Sequence, residues 1–114
     1  MNRKELIKDY KNTLRPMGIV QVKNTTNDRV YLLSSLNTQG TINSLRFQLK
    51  MGAFLPNPEL ARDWKELGEQ SFVIDVLDEL KAVEDPAHDY REDLKALEEM
   101  WMEKLKPFGE RGYH

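Results

Sequence analysis

The chain has 114 residues, of which 39% are hydrophobic and 32% are charged, and its formal net charge is -2. This length and composition predict one globular domain with a modest core. The net charge by itself argues against a strong nucleic-acid binder. The absence of cysteine excludes disulfides, thiolate zinc sites and cysteine nucleophiles, and the absence of a long apolar run or a leader-like start makes a cytoplasmic protein without a membrane span the default expectation.

The charges are unevenly distributed along the chain. Residues 1–50 carry nine basic and three acidic side chains, a net charge of +6, whereas residues 51–114 carry 8 basic and 16 acidic side chains, a net charge of -8. Such a bipolar chain can present a basic face to phosphates, or it can pair with itself or with a protein partner. Solvated surface charge is the simplest explanation for most of these side chains.

The first predicted element is an amphipathic helix over residues 3–14. Leu6, Tyr10 and Leu14 recur at helical spacing, and basic residues occupy the positions between them. Pro16 ends the helix because the residue before proline avoids helical geometry. Residues 1–16 are therefore expected to form an N-terminal helix outside the main domain, which spans residues 17–114.

A β-hairpin follows, with strands over residues 18–23 and 29–34 and a polar turn between them. Asn37 or Thr38 can cap a helix over residues 39–51, and Gly52 ends it. Pro58 begins a second helix whose predicted buried stripe is Leu60, Trp64 and Leu67.

The apolar run in residues 71–80 predicts a strand that is covered on both faces. Asp89 and Glu92 predict the start of a last helix, which continues to Pro107 and carries Trp101 as a core anchor. The tail after it is expected to pack one or two aromatic rings against the body. The predicted fold class is α+β: a small, mostly antiparallel three-stranded sheet flanked by helices in the order ββααβα, with an extra N-terminal helix.

Several short motifs in this order resemble those of GIY-YIG nucleases. The motifs are Gly18-Ile19-Val20, Tyr31-Leu32-Leu33-Ser34-Ser35 with Asn37, Gly68-Glu69 with Phe72, Leu97-Glu98 with Trp101, Lys106-Pro107 and Gly112-Tyr113. The resemblance covers roughly residues 17–114 and is greatest to a small bacterial branch that also occurs beside transcription-regulator domains. It implies the same ββααβα order that the periodicity predicts.

The resemblance also implies a set of catalytic positions, and two of them retain a functional side chain. Tyr31 matches the second motif tyrosine, and Glu98 matches the glutamate that holds a divalent metal, usually Mg²⁺, with Glu99 as the alternative if the alignment slips by one. A carboxylate-bound hard cation polarises phosphate, which is the chemistry that phosphodiester hydrolysis needs. His114 lies close to where the family can place an asparagine, but a terminal histidine is weak support for a role.

Other catalytic positions hold side chains that cannot do the chemistry. The first motif tyrosine falls on Val20, the second-triplet glycine on Leu33, the helix arginine on Thr41 and the histidine on Leu45. Arg46 does not replace the arginine, because five residues rotate it about 140° around the helix. Loss of one positioned charge-stabilising group costs on the order of 10²–10³ in rate. We therefore expect a degenerate site and, on balance, no enzyme.

Three functions remain open from the sequence. The first is nucleic-acid association or regulation, with DNA or RNA contacts from Lys23, Arg29, Arg46 and Lys50 and without a cofactor. The second is a protein-interaction or self-association module whose former catalytic face, made apolar by Val20, Leu33 and Leu45, binds a partner or a second copy. The third is a residual endonuclease that depends on Mg²⁺ or another divalent cation.

Overall fold

The computed structural model describes residues 14–114, so the predicted helix over residues 3–14 lies almost entirely outside the described residues. The described elements are β1 (Met17–Asn24), β2 (Val30–Ser35), α1 (Thr38–Lys50), α2 (Pro58–Leu67), β3 (Phe72–Leu80) and α3 (Tyr90–Leu105), with short 3₁₀ turns at Glu69–Ser71 and Gly109–Arg111. The predicted α+β class and the ββααβα order are confirmed. None of the helices within residues 14–114 is long and apolar enough to span a membrane.

The three strands form one antiparallel sheet in the order β2-β1-β3. Pairing of β1 with β2 sets Val20 opposite Leu33 and Val22 opposite Tyr31. The pairing of β1 with β3 shifts register between Ile19 and Val20. Because β1 lies in the centre, its side chains are buried on both faces, as the near-continuous burial of Met17–Asn24 shows.

Helices cover the two faces of the sheet. On one face, α1 and α2 pack over Val20, Val22 and Ile74, with Leu45 and Trp64 in the same core. Side chains alternate along a strand, so Ile19 and Leu32, which are also buried, point to the opposite face, where α3 packs against β1 and β2. α3 therefore lies beside β2, the strand that carries Tyr31.

Local signals set the helix boundaries as the sequence predicts. The Asn37 side chain accepts a hydrogen bond from the Gly40 N–H at the start of α1, and Asn57 and Asp89 cap α2 and α3 in the same way. After α1 the backbone turns through Gly52 at φ 70°, a conformation that disfavours other residues. The chain can therefore reverse tightly after α1.

Three predictions about burial are wrong. Val73 and Val76 are 46% and 40% exposed, because β3 is an edge strand that the helices contact only slightly, whereas β1 is covered on both faces. Leu67 is exposed at the last turn of α2, where the helix leaves the core. Trp101 is half-buried rather than a core anchor, and its indole N–H donates to Asp78 Oδ2 at 2.8 Å.

Candidate functional site

Tyr31 lies at the centre of an aromatic cluster on β2. Its half-buried ring meets the edge of the Phe54 ring, with the centroids 5.8 Å apart, and stacks on the His114 imidazole at 4.8 Å and an interplanar angle of 14°. Burial raises the pKa of the Tyr31 phenol, and the negative charge of Glu98 raises it further. Tyr31 is therefore a neutral phenol at neutral pH, able to donate or accept a hydrogen bond but not poised as a phenolate base.

Glu98 lies on α3, which packs against β1 and β2, and its charge acts on the Tyr31 phenol. The side chain is half-buried. Burial raises the pKa of the Glu98 carboxyl, and the adjacent Glu99 charge adds to the effect. Glu98 and Tyr31, 67 positions apart in the chain, therefore lie within electrostatic range of each other, and their joint role in a site stays a prediction.

His114 is the residue that sequence reasoning undervalued. Its Nε2 accepts a hydrogen bond from the Leu32 N–H at 2.9 Å, so the proton of the neutral ring lies on Nδ1. Burial lowers the pKa of His114, which favours the neutral form that this bond requires. The Gly112-Tyr113 pair was a usable signal for an ordered tail, but the stack on Tyr31 depends on where the tail meets the sheet.

The tail is fixed in place by Tyr113, which is buried beneath α2. The Tyr113 hydroxyl donates to Asp63 Oδ2 at 2.8 Å and accepts from the Asn24 amide at 3.0 Å, and the Arg29 guanidinium lies 4.2 Å from the ring centroid. Burial is the largest of the effects that raise the pKa of Tyr113 to about 12. The Tyr113 N–H also donates to the Val30 carbonyl at 3.0 Å, which lays the tail against β2 and directs His114 onto Tyr31.

The four positions that the family resemblance matches to catalytic residues are built into the scaffold. Val20 is fully buried and Leu45 is 2% exposed, both within the core under α1 and α2, and Leu33 packs against the same core. The Thr41 hydroxyl is 2.6 Å from the Ser35 hydroxyl, so its hydrogen bond joins α1 to the end of β2. None of these four side chains offers a charge or a titratable proton.

The same burial corrects one predicted surface. The sequence predicts an apolar surface of Val20, Leu33 and Leu45 that binds a partner or a second copy. In the structure these side chains pack inward against the helices. That expectation of an open apolar face at these three positions is wrong. The reason is that the sheet surface under α1 and α2 is the main core of the molecule.

Two of the four predicted nucleic-acid contacts already have acidic partners. Lys23 lies 3.7 Å from Asp28, and Arg29 lies 2.6 Å from Glu59 and 3.5 Å from Asp63. Arg29 also donates to the Gly112 carbonyl at 3.0 Å, so its main contacts hold the tail. Its binding to phosphate stays a prediction, with much of its charge already offset.

The other two predicted contacts, Arg46 and Lys50, are exposed on the outer surface of α1. Neither forms an ion pair with any residue in the range 14–114. They lie four residues apart, which places them on one side of the helix a single turn from each other. Their positive charge is available to a ligand.

A divalent cation fits this site only in part. Glu98 can supply a carboxylate oxygen, and a cation would relieve its repulsion by Glu99. Across residues 14–114, however, no group of three or more His, Asp or Glu side chains could hold a metal ion. Mg²⁺ can be bound through one carboxylate with water and substrate phosphate, so metal binding here would depend on a bound phosphate.

Comparison with known proteins gives the fold a precedent. No protein-family model and no curated protein sequence matches the chain. Among solved structures, the catalytic domain of homing endonuclease I-TevI matches with a TM-score of 0.69 and 24% identity, over 85% of this chain and 95% of that one. A mutant of the catalytic domain of intron endonuclease I-TevI matches with a TM-score of 0.68 and 24% identity, over 87% of this chain and 92% of that one. The chain therefore has the fold of an endonuclease catalytic domain, in agreement with the predicted GIY-YIG-like architecture.

Proposed function

We propose that this chain belongs to the GIY-YIG family and associates with nucleic acid without cleaving it. The observation that carries the proposal is the electrostatics around Tyr31 and Glu98. The pKa values of both groups are raised by burial and by carboxylates, and no lysine or arginine of residues 14–114 is among the causes. Phosphodiester cleavage adds negative charge to the transferring phosphate, and this site would meet that charge with more negative charge.

The expected loss of activity is large. One missing charge-stabilising group costs on the order of 10²–10³ in rate. Val20 and Leu45 remove two more groups that the family resemblance implies, and both are locked in the core. A bound divalent cation would supply Lewis-acid polarisation of phosphate, with Glu98 as its protein ligand. Tyr31 and His114, as neutral donors, can then orient a phosphate, but they cannot replace the positive charge of the arginine that the resemblance places at Thr41.

Binding to nucleic acid is assigned to the outer surface of α1. Arg46 and Lys50 are exposed, unpaired within the described residues and one turn apart, so both can reach phosphates on one strand. Two phosphate contacts give a dependence of log K on log salt with a slope of about -1.8 for duplex DNA. We therefore propose weak, salt-sensitive binding, in keeping with the net charge of -2.

A labelled DNA duplex tests both halves of the proposal in one sample. Fluorescence anisotropy at increasing salt measures binding, and a denaturing gel after incubation with Mg²⁺ measures cleavage. We expect salt-sensitive binding with an intact strand, and weaker binding with a shallower slope in the Arg46→Ala, Lys50→Ala double variant. The control variant, Lys81→Ala with Lys95→Ala, removes two exposed lysines from other elements and should change the slope less. Equal slopes for the two variants would refute the assignment to α1.

A residual endonuclease is the second candidate, because Glu98 lies within electrostatic range of Tyr31. In that case Mg²⁺-dependent cleavage should occur and should disappear in Glu98→Ala. A protein partner and a cytoplasmic location remain proposals from the sequence. The apolar face first assigned to a partner is buried in the core.

A further inference from the structure

A groove lies between the end of α1, the loop after it and the outer side of α2. Its volume is about 810 Å³, within the range of small-ligand sites in proteins. Apolar side chains form its floor and walls, among them Phe54, Trp64, Met51 and Leu55. Met51 and Leu55 are 65% and 86% exposed, so part of this apolar surface faces solvent without cover from the described residues.

The rim of this groove is basic, although the chain as a whole is acidic. Lys50, Arg62 and Lys65 line it, and Glu69 is the acidic side chain among the lining residues. None of the three cations forms an ion pair with a residue in the described part of the chain. An apolar floor inside an uncompensated cationic rim fits a ligand with flat apolar groups and a regularly spaced anionic backbone.

The groove adjoins the Tyr31 site through one buried ring. Phe54, which is 5% exposed, lines the groove and packs in a T-shaped arrangement with the Tyr31 ring. On the outer surface of α1, Phe47 is 67% exposed and lies four residues before Met51, hence on the same side of the helix. A chain-like ligand in the groove would therefore meet a run of exposed apolar side chains at the end of α1.

We propose that this groove binds a single-stranded segment of nucleic acid. Unstacked bases would cover Met51 and Leu55, while Lys50, Arg62 and Lys65 would contact the phosphates. A duplex keeps its bases stacked inside and offers the groove only phosphates and base edges, so it cannot fill the apolar floor. The inference rests on the proposed function and adds to it a substrate class: nucleic acid with a frayed, looped or displaced strand.

The test uses the whole chain and a labelled 15-residue oligothymidine, with a DNA duplex of the same length for comparison. Arg62→Ala with Lys65→Ala removes two rim charges that the proposed α1 contact does not use. We expect about five- to tenfold weaker oligothymidine binding at low salt and a salt slope shallower by about 1.4, since each single-strand phosphate contact contributes about 0.7. The control is Lys81→Ala with Lys95→Ala, which should bind like the wild type.

A second variant tests the apolar floor separately from charge. Leu55→Ser alters a side chain that is 86% exposed, so the fold should be kept. We expect weaker oligothymidine binding with an unchanged salt slope and little effect on duplex binding. A thermal melt of each variant confirms that it is folded.

The outcomes separate this inference from the proposed function. If the wild type binds duplex but the rim and floor variants bind oligothymidine like the wild type, the groove assignment is wrong and the proposed function stands. If an acidic peptide such as oligoglutamate competes as well as oligothymidine does, the groove is a charged patch and the assignment is again wrong. Strand cleavage with Mg²⁺ would overturn the proposed function while leaving single-strand binding in the groove intact.

Discussion

Replacement of Tyr113 by phenylalanine removes one hydroxyl from the centre of the network that fixes the tail. That hydroxyl is the acceptor for the Asn24 amide and a donor to Asp63. Asn24 is fully buried, so its side-chain NH₂ group would lose its partner, at a cost of about 1–3 kcal/mol, while its Oδ1 keeps the hydrogen bonds from Thr26. The ring stays in place, so the packing of Tyr113 and its contact with the Arg29 guanidinium are kept.

Urea denaturation followed by circular dichroism measures this loss. For a domain of this size, the expected loss corresponds to a midpoint lower by about 1 M urea. Tyr31→Phe is the matched control, because the Tyr31 hydroxyl forms no hydrogen bond to residues 14–114; it should cost less than about 0.5 kcal/mol. Equal midpoints for Tyr113→Phe and Tyr31→Phe would refute the assigned role of the buried hydroxyl.

Three further predictions use the same denaturation assay. Leu45→Ala should lower the free energy of unfolding by about 2–5 kcal/mol, because Leu45 is buried; a loss under about 0.5 kcal/mol would place it on the surface. His114 has a lowered pKa in the fold, so its contribution to stability is present above pH 6.5 and is lost as the pH falls through the folded pKa. The stability difference between wild type and His114→Gln should therefore shrink over that pH range. A constant difference would contradict the neutral imidazole. Glu98 has a raised pKa, so its ionised form opposes folding. The Glu98→Gln variant should be more stable than the wild type at pH 7 and should lose this advantage below about pH 4.5. A variant less stable than the wild type at pH 7 would contradict the burial of this charge.

The sequence predicts those features that local chemistry decides. The caps at Asn37 and Asp89 act on backbone groups three or fewer residues away, so the residue types alone identify them. Sheet order is not local. The apolar run in residues 71–80 predicts a strand, but only pairing shows that β3 is an edge and that Val73 and Val76 are exposed.

The candidate site likewise contains residues that sequence motifs identify and contacts that only the fold shows. Tyr31 and Glu98 are identified through their resemblance to family motifs, and only the fold places the charge of Glu98 within electrostatic range of Tyr31. The pairing of Arg29 with Glu59 and the stack of His114 on Tyr31 join residues 30 and 83 positions apart. No periodicity or motif spacing encodes such contacts, which is why the tail's part in the site was missed.

Digestion of supercoiled plasmid is the most direct test of a nuclease fold without nuclease chemistry, because a single nick changes the mobility of the whole molecule. Purified wild-type protein and Glu98→Ala should both leave the plasmid supercoiled with Mg²⁺ or Mn²⁺ present, while the wild type still binds DNA at low salt. Nicking by the wild type that is lost in Glu98→Ala would show that the site around Tyr31 cleaves DNA without an arginine at position 41. That result would contradict the account.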